Sequence, residues 1–355
     1  MGDSQEQESI RDIIVIGASA GGVEALTYLV KHLPLNLNAA VVLVLHLPSQ
    51  SPSIMPDILA RAAKLPVFEA QDGKAIMGGQ IYVAPPDYHL LLKPGHLHLT
   101  KAATENGYRP AIDPLFRTAA RAYGQRVVGV VLTGLLDDGT AGLMAIKMRG
   151  GVAVVQDPDD AVYSSMPLSA IENVEDIDHI LPLSEIPSTL VVLANTPVEA
   201  EQEKPVASDM EFELEKAQLN MEAVEDTAQN AEPSTFSCPD CGGTLWEIQE
   251  EKLLRFRCRI GHAYSAETLL AKQSDALEDA LWIALRALQE KATLSHRMAS
   301  RMRDRNLTLA AQKLEQEAQS AQERSKIVQE ALEMSNGKSQ GNKTPIPVQQ
   351  ELTTE

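Results

Sequence analysis

The fold of this chain is decided by the stretch IIVIGASAGG, residues 13–22. Four consecutive apolar residues followed by a glycine-rich turn are typical of a buried parallel strand that leads directly into a helix. Two kinds of site are built on such a strand–turn–helix unit. One holds the phosphates of a nucleotide, and the other presents a nucleophilic serine.

The nucleotide alternative fits the turn poorly. Gly17 and Gly22 match the dinucleotide fingerprint G-x-G-x-x-G, but Ser19 replaces the glycine that lets a pyrophosphate approach the backbone. The fingerprint also needs an acidic residue at the end of the second strand, and the second predicted strand ends in His46. The sequence therefore disfavours a nucleotide-binding oxidoreductase.

The second alternative is a nucleophile elbow. Gly17, Ser19 and Gly21 match the pattern G-x-S-x-G between a strand and a helix. Small residues permit the sharp turn that lifts the serine oxygen above the sheet, and the N–H groups at the start of the helix can stabilise an oxyanion. A tight structural turn without a catalytic role is the other interpretation that this pattern alone allows.

The alternation of strand and helix continues outward from this stretch. Continuous apolar strands that alternate with helices are characteristic of parallel sheets covered on both faces. We therefore predict an α/β fold: a doubly wound, mostly parallel sheet with helices on both faces, plus a small zinc-ribbon-like module and C-terminal helices. Further strands are predicted over 39–46, 127–134 and 150–157, helices over 23–32, 54–64, 114–123 and 139–148, and a hairpin around 94–95.

A serine nucleophile needs a base and an acid that orients the base. His46 ends the second predicted strand, and Asp137 and Asp138 follow the third. Because the carboxyl ends of parallel strands form the ligand-binding edge of such sheets, we expect these side chains to lie near Ser19. Taken singly, the histidine fits a structural role and the aspartates fit a helix N-cap. The chain order Ser, His, Asp also differs from that of the α/β-hydrolases.

Five segments together resemble one known family. IGASAGGVEAL, LVLHLP, IYVAPPDYHL, RPAIDPLF and GVVLTGLLDDGTAGL are similar, in order and approximate spacing, to motifs of the CheB-type protein-glutamate methylesterases of bacterial chemotaxis. The resemblance covers about residues 12–195. It implies that Ser19 is the nucleophile, His46 the base and Asp138 the orienting acid. It assigns no role to Asp137.

The reaction that this resemblance implies is hydrolysis of a γ-methyl ester on a receptor glutamate, with release of methanol, in chemotaxis-like signal transduction. Deamidation of glutamine can accompany it in the family. Backbone N–H groups at Ala20 and Leu135 would bind the oxyanion, and no cofactor is needed for catalysis. The other function that the chain allows is a catalytically silent scaffold that docks to a sensor or a methyltransferase.

Both ends of the chain differ from the simple chemotaxis enzyme. Members of that family usually carry an N-terminal phosphoacceptor domain, but only about 11 residues precede the first predicted strand, so we expect no control by phosphorylation in cis. The C-terminal extension is foreign to the simple enzyme. The expected partners are a methylated receptor-like protein substrate and a methyltransferase or sensor bound through the C-terminal helices.

Composition excludes several other classes. The formal net charge is −18, which argues against nucleic acid or an anionic membrane as the main partner. No apolar run approaches the roughly 18 residues that a membrane span requires, and the first ten residues do not have the pattern of a signal peptide. We therefore expect a cytoplasmic location and no membrane insertion.

The three cysteines of the chain lie close together in the sequence. Cys238, Cys241, Cys258 and His262 form the pattern C-x₂-C-x₁₆-C-x₃-H, which has the spacing of a structural zinc site. Neighbouring arginines leave nucleic-acid binding as an alternative, and three unrelated buried cysteines are another. The sequence gives no reason for the esterase domain to depend on this module.

The predicted organisation has six parts. The C-terminal helical segment shows Leu277, Leu281, Leu285 and Leu288 on one face. The parts are a disordered N-terminus (1–11), a methylesterase catalytic domain (12–195), an acidic linker (196–234), a zinc-ribbon-like module (235–268), a helical segment (269–335) and a disordered tail (336–355).

Overall fold

The computed structural model describes residues 10–198, 232–250 and 253–339. The chain divides into two compact units, Met1–Leu270 and Ala271–Glu355. The N-terminus and tail predicted to be disordered, and the acidic linker, lie mainly outside the described residues. The first unit contains both the Cys-rich module and the residues predicted to form the catalytic domain.

The described elements follow one another in this order. The strands are β1 (Ile13–Ala18), β2 (Ala40–Leu45), β3 (Val67–Glu69), β4 (Ile81–Val83), β5 (His89–Lys93), β6 (His96–Thr100), β7 (Val127–Val131), β8 (Val152–Gln156), β9 (His179–Leu181), β10 (Glu232–Ser237), β11 (Thr244–Glu250), β12 (Leu253–Cys258) and β13 (Ala263–Ser265). The helices are α1 (Gly22–His32), α2 (Met55–Ala62), α3 (Ile112–Tyr123), α4 (Thr140–Met148), α5 (Ser165–Asn173), α6 (Ile186–Ala194), α7 (Ala266–Asp304) and α8 (Thr308–Ser339).

Seven strands form one parallel sheet with the order β3-β4-β2-β1-β7-β8-β9. Every pairing in it is parallel. This confirms the predicted fold class. The predicted hairpin is also present, as β5 and β6 joined through Gly95 at φ 77°. The sequence analysis did not predict β3, β9, α5 and α6, which are short or weakly periodic.

The centre of the sheet is buried on both faces because β1, β2 and β7 carry no polar side chain. Ile13 and Val15 point into a core formed with α3, α4 and α5. Ile14 and Ile16 point into a second core formed with α1, α2 and α6. Successive strand residues alternate between faces, so a continuous apolar run serves two helical layers at once.

The order of the strands places a switch point in the middle of the sheet. From β1 the chain moves through β2 to β3 at one edge and then fills the gap with β4. It then crosses to β7 on the other side of β1 and continues to β9. Ligand sites in such sheets form at the carboxyl edge beside this reversal. The residues that follow β2, β1 and β7 therefore lie side by side at the expected position of a site.

The Cys-rich module is a four-stranded antiparallel sheet with the order β10-β11-β12-β13. Its core is small. It consists of the buried side chains of Cys238, Leu245, Phe256, Cys258, Tyr264 and Leu269.

The second unit is formed by most of α7 together with α8. Its buried positions recur every seven residues, at Leu285, Ala292 and Ala299 in α7 and at Ala311 and Ala318 in α8. Such a repeat is typical of helices that pack along a narrow seam. Leu277, by contrast, is 60% exposed. Among the residues described, no helix combines the length and apolarity that crossing a bilayer requires.

Candidate active site

Ser19 lies in the turn between β1 and α1, at the carboxyl edge of the sheet. A Cβ at Gly17 would clash with the side chain of Ile112, and Gly21 has φ 74°, which favours glycine. Gly134, in the loop after β7, lies so close that a Cβ there would come within 2.9 Å of Ser19 Cβ. The missing side chains at these glycines create the tight turn in which the serine sits.

His46 lies between Ser19 and Asp138. Ser19 Oγ is 3.0 Å from His46 Nδ1, and His46 Nε2 is 2.7 Å from Asp138 Oδ2. The side chains of His46 and Asp138 are 3% and 2% exposed. An ionised Asp138 accepts the Nε2–H of the ring, which leaves Nδ1 as the acceptor for the hydroxyl of Ser19. The structure thus brings together the three side chains that the sequence singled out.

Asp138 is held as a carboxylate by several donors. Besides His46, the backbone N–H of Ile112 donates to Oδ2 at 2.7 Å and the side-chain amide of Asn106 donates to Oδ1 at 2.9 Å. Burial alone would raise the pKa of Asp138, but the hydrogen bonds and the nearby His46 outweigh it, and the pKa lies below its usual value. The group that faces His46 is therefore ionised at neutral pH.

A second buried carboxylate, Asp113, forms a reciprocal arrangement with Asp138. Asp138 precedes α4 and accepts from the first N–H groups of α3, including that of Asp113 at 3.2 Å. Asp113 lies in α3 and accepts from Gly139 at 3.0 Å and Gly142 at 2.6 Å, at the start of α4. Asp138 therefore caps the start of α3, the helix that contains Asp113, and Asp113 caps the start of α4, the helix that follows Asp138. Burial and the charge of Asp138 raise the pKa of Asp113 well above its usual value.

Of the two predicted oxyanion donors, Ala20 lies in the turn that carries Ser19 and Leu135 lies in the loop after β7. The Ser19 N–H donates to Thr133 O at 3.0 Å, which holds the elbow against the loop that carries Leu135. Thr133 Oγ1 donates to Ala20 O at 3.0 Å, which ties the same loop to the residue after Ser19. Among the described residues, neither the Ala20 N–H nor the Leu135 N–H has an acceptor within the protein.

Two residues at this site were not found by sequence reasoning. Tyr108 stacks on His46 with ring centroids 3.7 Å apart and an interplanar angle of 9°. Asn106 donates to both Asp138 and Asp113. Both residues lie in an irregular loop between β6 and α3. Such a loop has no periodic sequence pattern from which the position of a side chain could be predicted. Only the neighbouring motif RPAIDPLF, which the resemblance to the family includes, pointed to this region.

The four predicted metal ligands also lie together. The ligand atoms of Cys238, Cys241, Cys258 and His262 all lie within 4.8 Å of one another. His262 Nδ1 is 3.6 Å from Cys238 Sγ and 3.4 Å from Cys258 Sγ, and the sulfurs of Cys241 and Cys258 are 3.6 Å apart. These are close to the edges of about 3.5–3.8 Å that a tetrahedron with zinc–ligand bonds of ordinary length would have.

The turns of the module shape this cluster. Gly242 follows the first cysteine pair at φ 72°, and Gly261 precedes His262 at φ 111°. The Gly242 N–H returns to Cys238 O at 2.8 Å, and the Gly261 N–H to Cys258 O at 3.0 Å. Both loops are therefore tight turns that present their side chains inward. Burial and the neighbouring thiols raise the pKa of Cys258 to about 12, so this thiol would lose its proton on binding a cation rather than before it.

The module contacts the sheet region through buried polar groups. Glu105 accepts from Arg117 of α3 and from Arg255 of β12. Asp137 Oδ1 accepts from the hydroxyls of Ser265 at 2.8 Å and Thr268 at 2.9 Å. The sequence analysis did not predict these contacts, because the sequence does not show which loop polar groups meet in the fold.

Several known proteins are similar to the first half of this chain. The sequence model described as CheB methylesterase matches residues 14–190. A protein-glutamate methylesterase/protein-glutamine glutaminase of Pyrococcus abyssi is 39% identical over 185 residues, which cover 51% of this chain and 50% of that protein. A protein of Leptospira interrogans, provisionally given the same two activities, is 39% identical over 183 residues that cover 94% of its length.

The chain belongs to the CheB methylesterase family. The crystal structure of the Thermotoga maritima CheB methylesterase catalytic domain is 35% identical and matches 51% of this chain and 98% of its own, with a TM-score of 0.48. The chain spans about half the length of the Pyrococcus relative, and the family match ends before the Cys-rich module begins. Membership in an esterase family confirms the predicted enzyme class, and none of these matches favours a silent scaffold.

Proposed function

We propose that this chain hydrolyses γ-methyl esters of glutamate side chains in a protein, with Ser19 as nucleophile, His46 as base and Asp138 as orienting acid. The observation that carries the proposal is the continuous contact from Ser19 Oγ through the His46 ring to Asp138, at 3.0 and 2.7 Å. These distances are those at which a base can accept a proton from the nucleophile.

The reaction proceeds in two halves. Ser19 Oγ attacks the ester carbonyl while its proton passes to His46 Nδ1, and the tetrahedral intermediate expels methoxide, which leaves as methanol after taking that proton. Water then attacks the acyl-serine, again giving a proton to His46 Nδ1. Collapse of the second intermediate releases the glutamate carboxyl group and returns the proton to Ser19. Asp138 stabilises the imidazolium at both stages without itself taking a proton.

The N–H groups of Ala20 and Leu135 complete this proposal. Both are without an acceptor within the described part of the chain; Ala20 directly follows Ser19, and Leu135 lies in the loop after β7. Free backbone donors beside a nucleophile are suited to an oxyanion that forms only during the reaction. A glutamine side chain would present the same carbonyl to them, so hydrolysis of glutamine amides is the companion activity that this site would support.

The substrate and partners follow from the family. We infer a methylated receptor-like protein as substrate, in a chemotaxis-like signalling system, and a sensor or methyltransferase that binds the C-terminal helices. The domain boundaries at 12–195, 235–268 and 269–335 form part of the same proposal. Catalysis as proposed here requires no cofactor.

We further infer that Cys238, Cys241, Cys258 and His262 hold one structural Zn²⁺. Three sulfurs and one imidazole nitrogen at near-tetrahedral spacing form a donor set that zinc prefers. Four protein ligands fill its coordination, so the ion would stabilise the module and take no part in ester chemistry. The small core of the module is the reason why it would need such an ion.

Replacement of the nucleophile tests the esterase proposal. Ser19→Ala should lower the rate of methanol release from a glutamate γ-methyl ester peptide by at least about 10⁴-fold, because the members of a triad act as a unit. The matched control is Ser188→Ala, which removes an exposed hydroxyl of α6 that only bonds Glu185 O. Unchanged turnover in the Ser19→Ala protein would overturn the mechanism.

A further inference from the structure

A short edge of the Cys-rich module is bound directly to the loop beside the candidate active site. The Ala263 N–H donates to Thr104 O at 3.2 Å, and the Asn106 N–H donates to Ala263 O at 2.8 Å. The Ser265 N–H donates to the side-chain oxygen of Asn106 at 3.0 Å. Strand β13 therefore bonds both the backbone and the side chain of Asn106.

The other end of the Asn106 amide faces the two buried carboxylates. Its NH₂ group donates to Asp138 Oδ1 at 2.9 Å and to Asp113 Oδ2 at 3.1 Å. Two carboxylates require the donor end of the amide, and a backbone N–H requires the acceptor end. The Ser265 N–H thus fixes the orientation in which Asn106 can support Asp138. Asn106 is 1% exposed, so water does not replace either contact.

The same strand is an immediate continuation of the metal cluster. Ala263 follows His262, whose carbonyl accepts from the Cys258 N–H at 2.9 Å. On the other side of the cluster, Asp240, between the first two cysteines, accepts from Thr104 Oγ1 at 2.7 Å. Both turns of the cluster therefore contact the loop that carries Asn106.

We propose that Asn106 is a positioning residue through which metal binding in the Cys-rich module sets the geometry of the Asp138–His46 pair. This inference rests on the esterase function proposed above. Binding of the ion fixes β13, β13 holds the Asn106 amide, and the amide holds Asp138 in the position where it bonds His46. Loss of the ion releases the contact of β13 with Asn106 and then the contact of Asn106 with Asp138. It removes no catalytic group.

Other contacts between the module and the sheet region do not involve the side chain of Asn106. Asp137 Oδ1 binds the hydroxyls of Ser265 and Thr268, and Glu105 binds arginines. Loss of the Thr268 hydroxyl would loosen the module but would leave the Ser265 N–H bonded to the amide of Asn106. This difference separates a specific route through Asn106 from general loosening of the module.

A double-mutant cycle with the full-length protein tests the proposal. Asn106→Gly deletes the amide but tolerates the positive φ of 52° at this position, so the backbone contacts survive. Zinc-loaded and chelator-treated samples of wild type and Asn106→Gly are assayed for methanol release from a glutamate γ-methyl ester peptide. Labelling of Ser19 by a fluorophosphonate is the second readout.

Zinc removal and Asn106→Gly should each lower kcat by about 10-fold, the effect of losing one hydrogen bond to a charged group, with little change in KM. In the Asn106→Gly protein, zinc removal should lower kcat by less than about a further 2-fold, because both changes break the same chain of contacts from β13 through residue 106 to Asp138. Thr268→Val, which weakens the module away from Asn106, and Asn173→Ala, an unrelated asparagine, should stay within about 2-fold of wild type. Circular dichroism confirms that the zinc-loaded variants are folded.

Independent effects of zinc removal and Asn106→Gly would overturn the proposal, as would a loss confined to KM or a Thr268→Val protein as impaired as Asn106→Gly. Failure of the esterase proposal has a different signature. In that case the wild type would release no methanol and its Ser19 would not react with the fluorophosphonate. A reactive Ser19 that is indifferent to zinc and to Asn106 overturns only the coupling.

Discussion

The seven-stranded sheet and the Cys-rich module hold polar side chains in place by different means. Around the sheet, two apolar layers fix β1, β2 and β7, and the residues that follow those strands come together as a consequence. Among its described residues, the module has six buried side chains in its core, and two of these are cysteines. A large core can position a site by packing alone, whereas a core of this size needs further stabilisation. The two regions should therefore respond differently to the same kinds of change.

The largest difference should follow removal of a metal ligand. Zinc binding to comparable peptides contributes on the order of 10–16 kcal/mol at neutral pH, so Cys258→Ser should unfold most of the module. Hydrogen exchange should show loss of protection across β10–β13, with protection of β1, β2 and β7 retained. Elemental analysis should find about one zinc per wild-type chain and none in the variant.

The matched control is Ser237→Ala, at an exposed position next to the first ligand. Retained protection of β10–β13 in Cys258→Ser, or wild-type protein without metal, would show that the module folds by packing and that the assigned ligands do not bind zinc.

A smaller effect is expected at Glu105, where the two regions meet. Glu105→Gln should lower the free energy of unfolding by about 3–5 kcal/mol, since it leaves Arg117 and Arg255 buried without their counter-charge. Urea unfolding followed by circular dichroism measures the loss. Asp12→Asn, which breaks a partly exposed pair with Arg126, should cost less, about 1 kcal/mol.

The pH dependence of the Glu105 effect provides its own check. Burial alone would raise the pKa of Glu105, but the surrounding arginines outweigh it and lower the pKa. A lowered folded-state pKa contributes stability that is complete above the unfolded value of 4.5 and is lost as the pH falls below it. The difference in the free energy of unfolding between wild type and Glu105→Gln should therefore become smaller below pH 4.5. A constant difference down to pH 3 would contradict this account.

The smallest effect is expected at Asp137. Both hydroxyl donors of the module bind the same oxygen, Oδ1, and an asparagine oxygen can accept them equally. Burial raises the pKa of Asp137, so removing its charge also removes a cost. Asp137→Asn should change the free energy of unfolding by less than about 1 kcal/mol and methanol release by less than about 3-fold. Asp137→Ala, which loses both bonds, should be clearly less stable.

The sheet could be predicted from the sequence because each of its central strands is a continuous apolar run. The apolar runs around Val15, Val42 and Val130 are each long enough to mark a strand, and parallel pairing then places the ends of β2, β1 and β7 at one edge. The proximity of Ser19, His46 and Asp138 followed from that rule. Their catalytic roles remain a prediction until variants are assayed.

The residues that sequence reasoning missed depend on tertiary contacts. Asn106 and Tyr108 lie in an irregular loop, and only the folded chain shows that one meets Asp138 and the other His46. The C-terminal helices show a related limit. Their leucines formed the obvious stripe, but the buried seam includes Ala292 and Ala299, because small residues at seven-residue spacing let helices approach closely.

The reciprocal caps of Asp113 and Asp138 have a consequence for the order of events in folding. The first N–H groups of α3 are satisfied by a side chain that precedes α4, and those of α4 by a side chain within α3. Neither helix start is complete until both helices have docked on the sheet. A chain in which they are still apart has no carboxylate ready for His46. Competence of the proposed triad is therefore a late product of folding, acquired in the same step that closes the two helix ends.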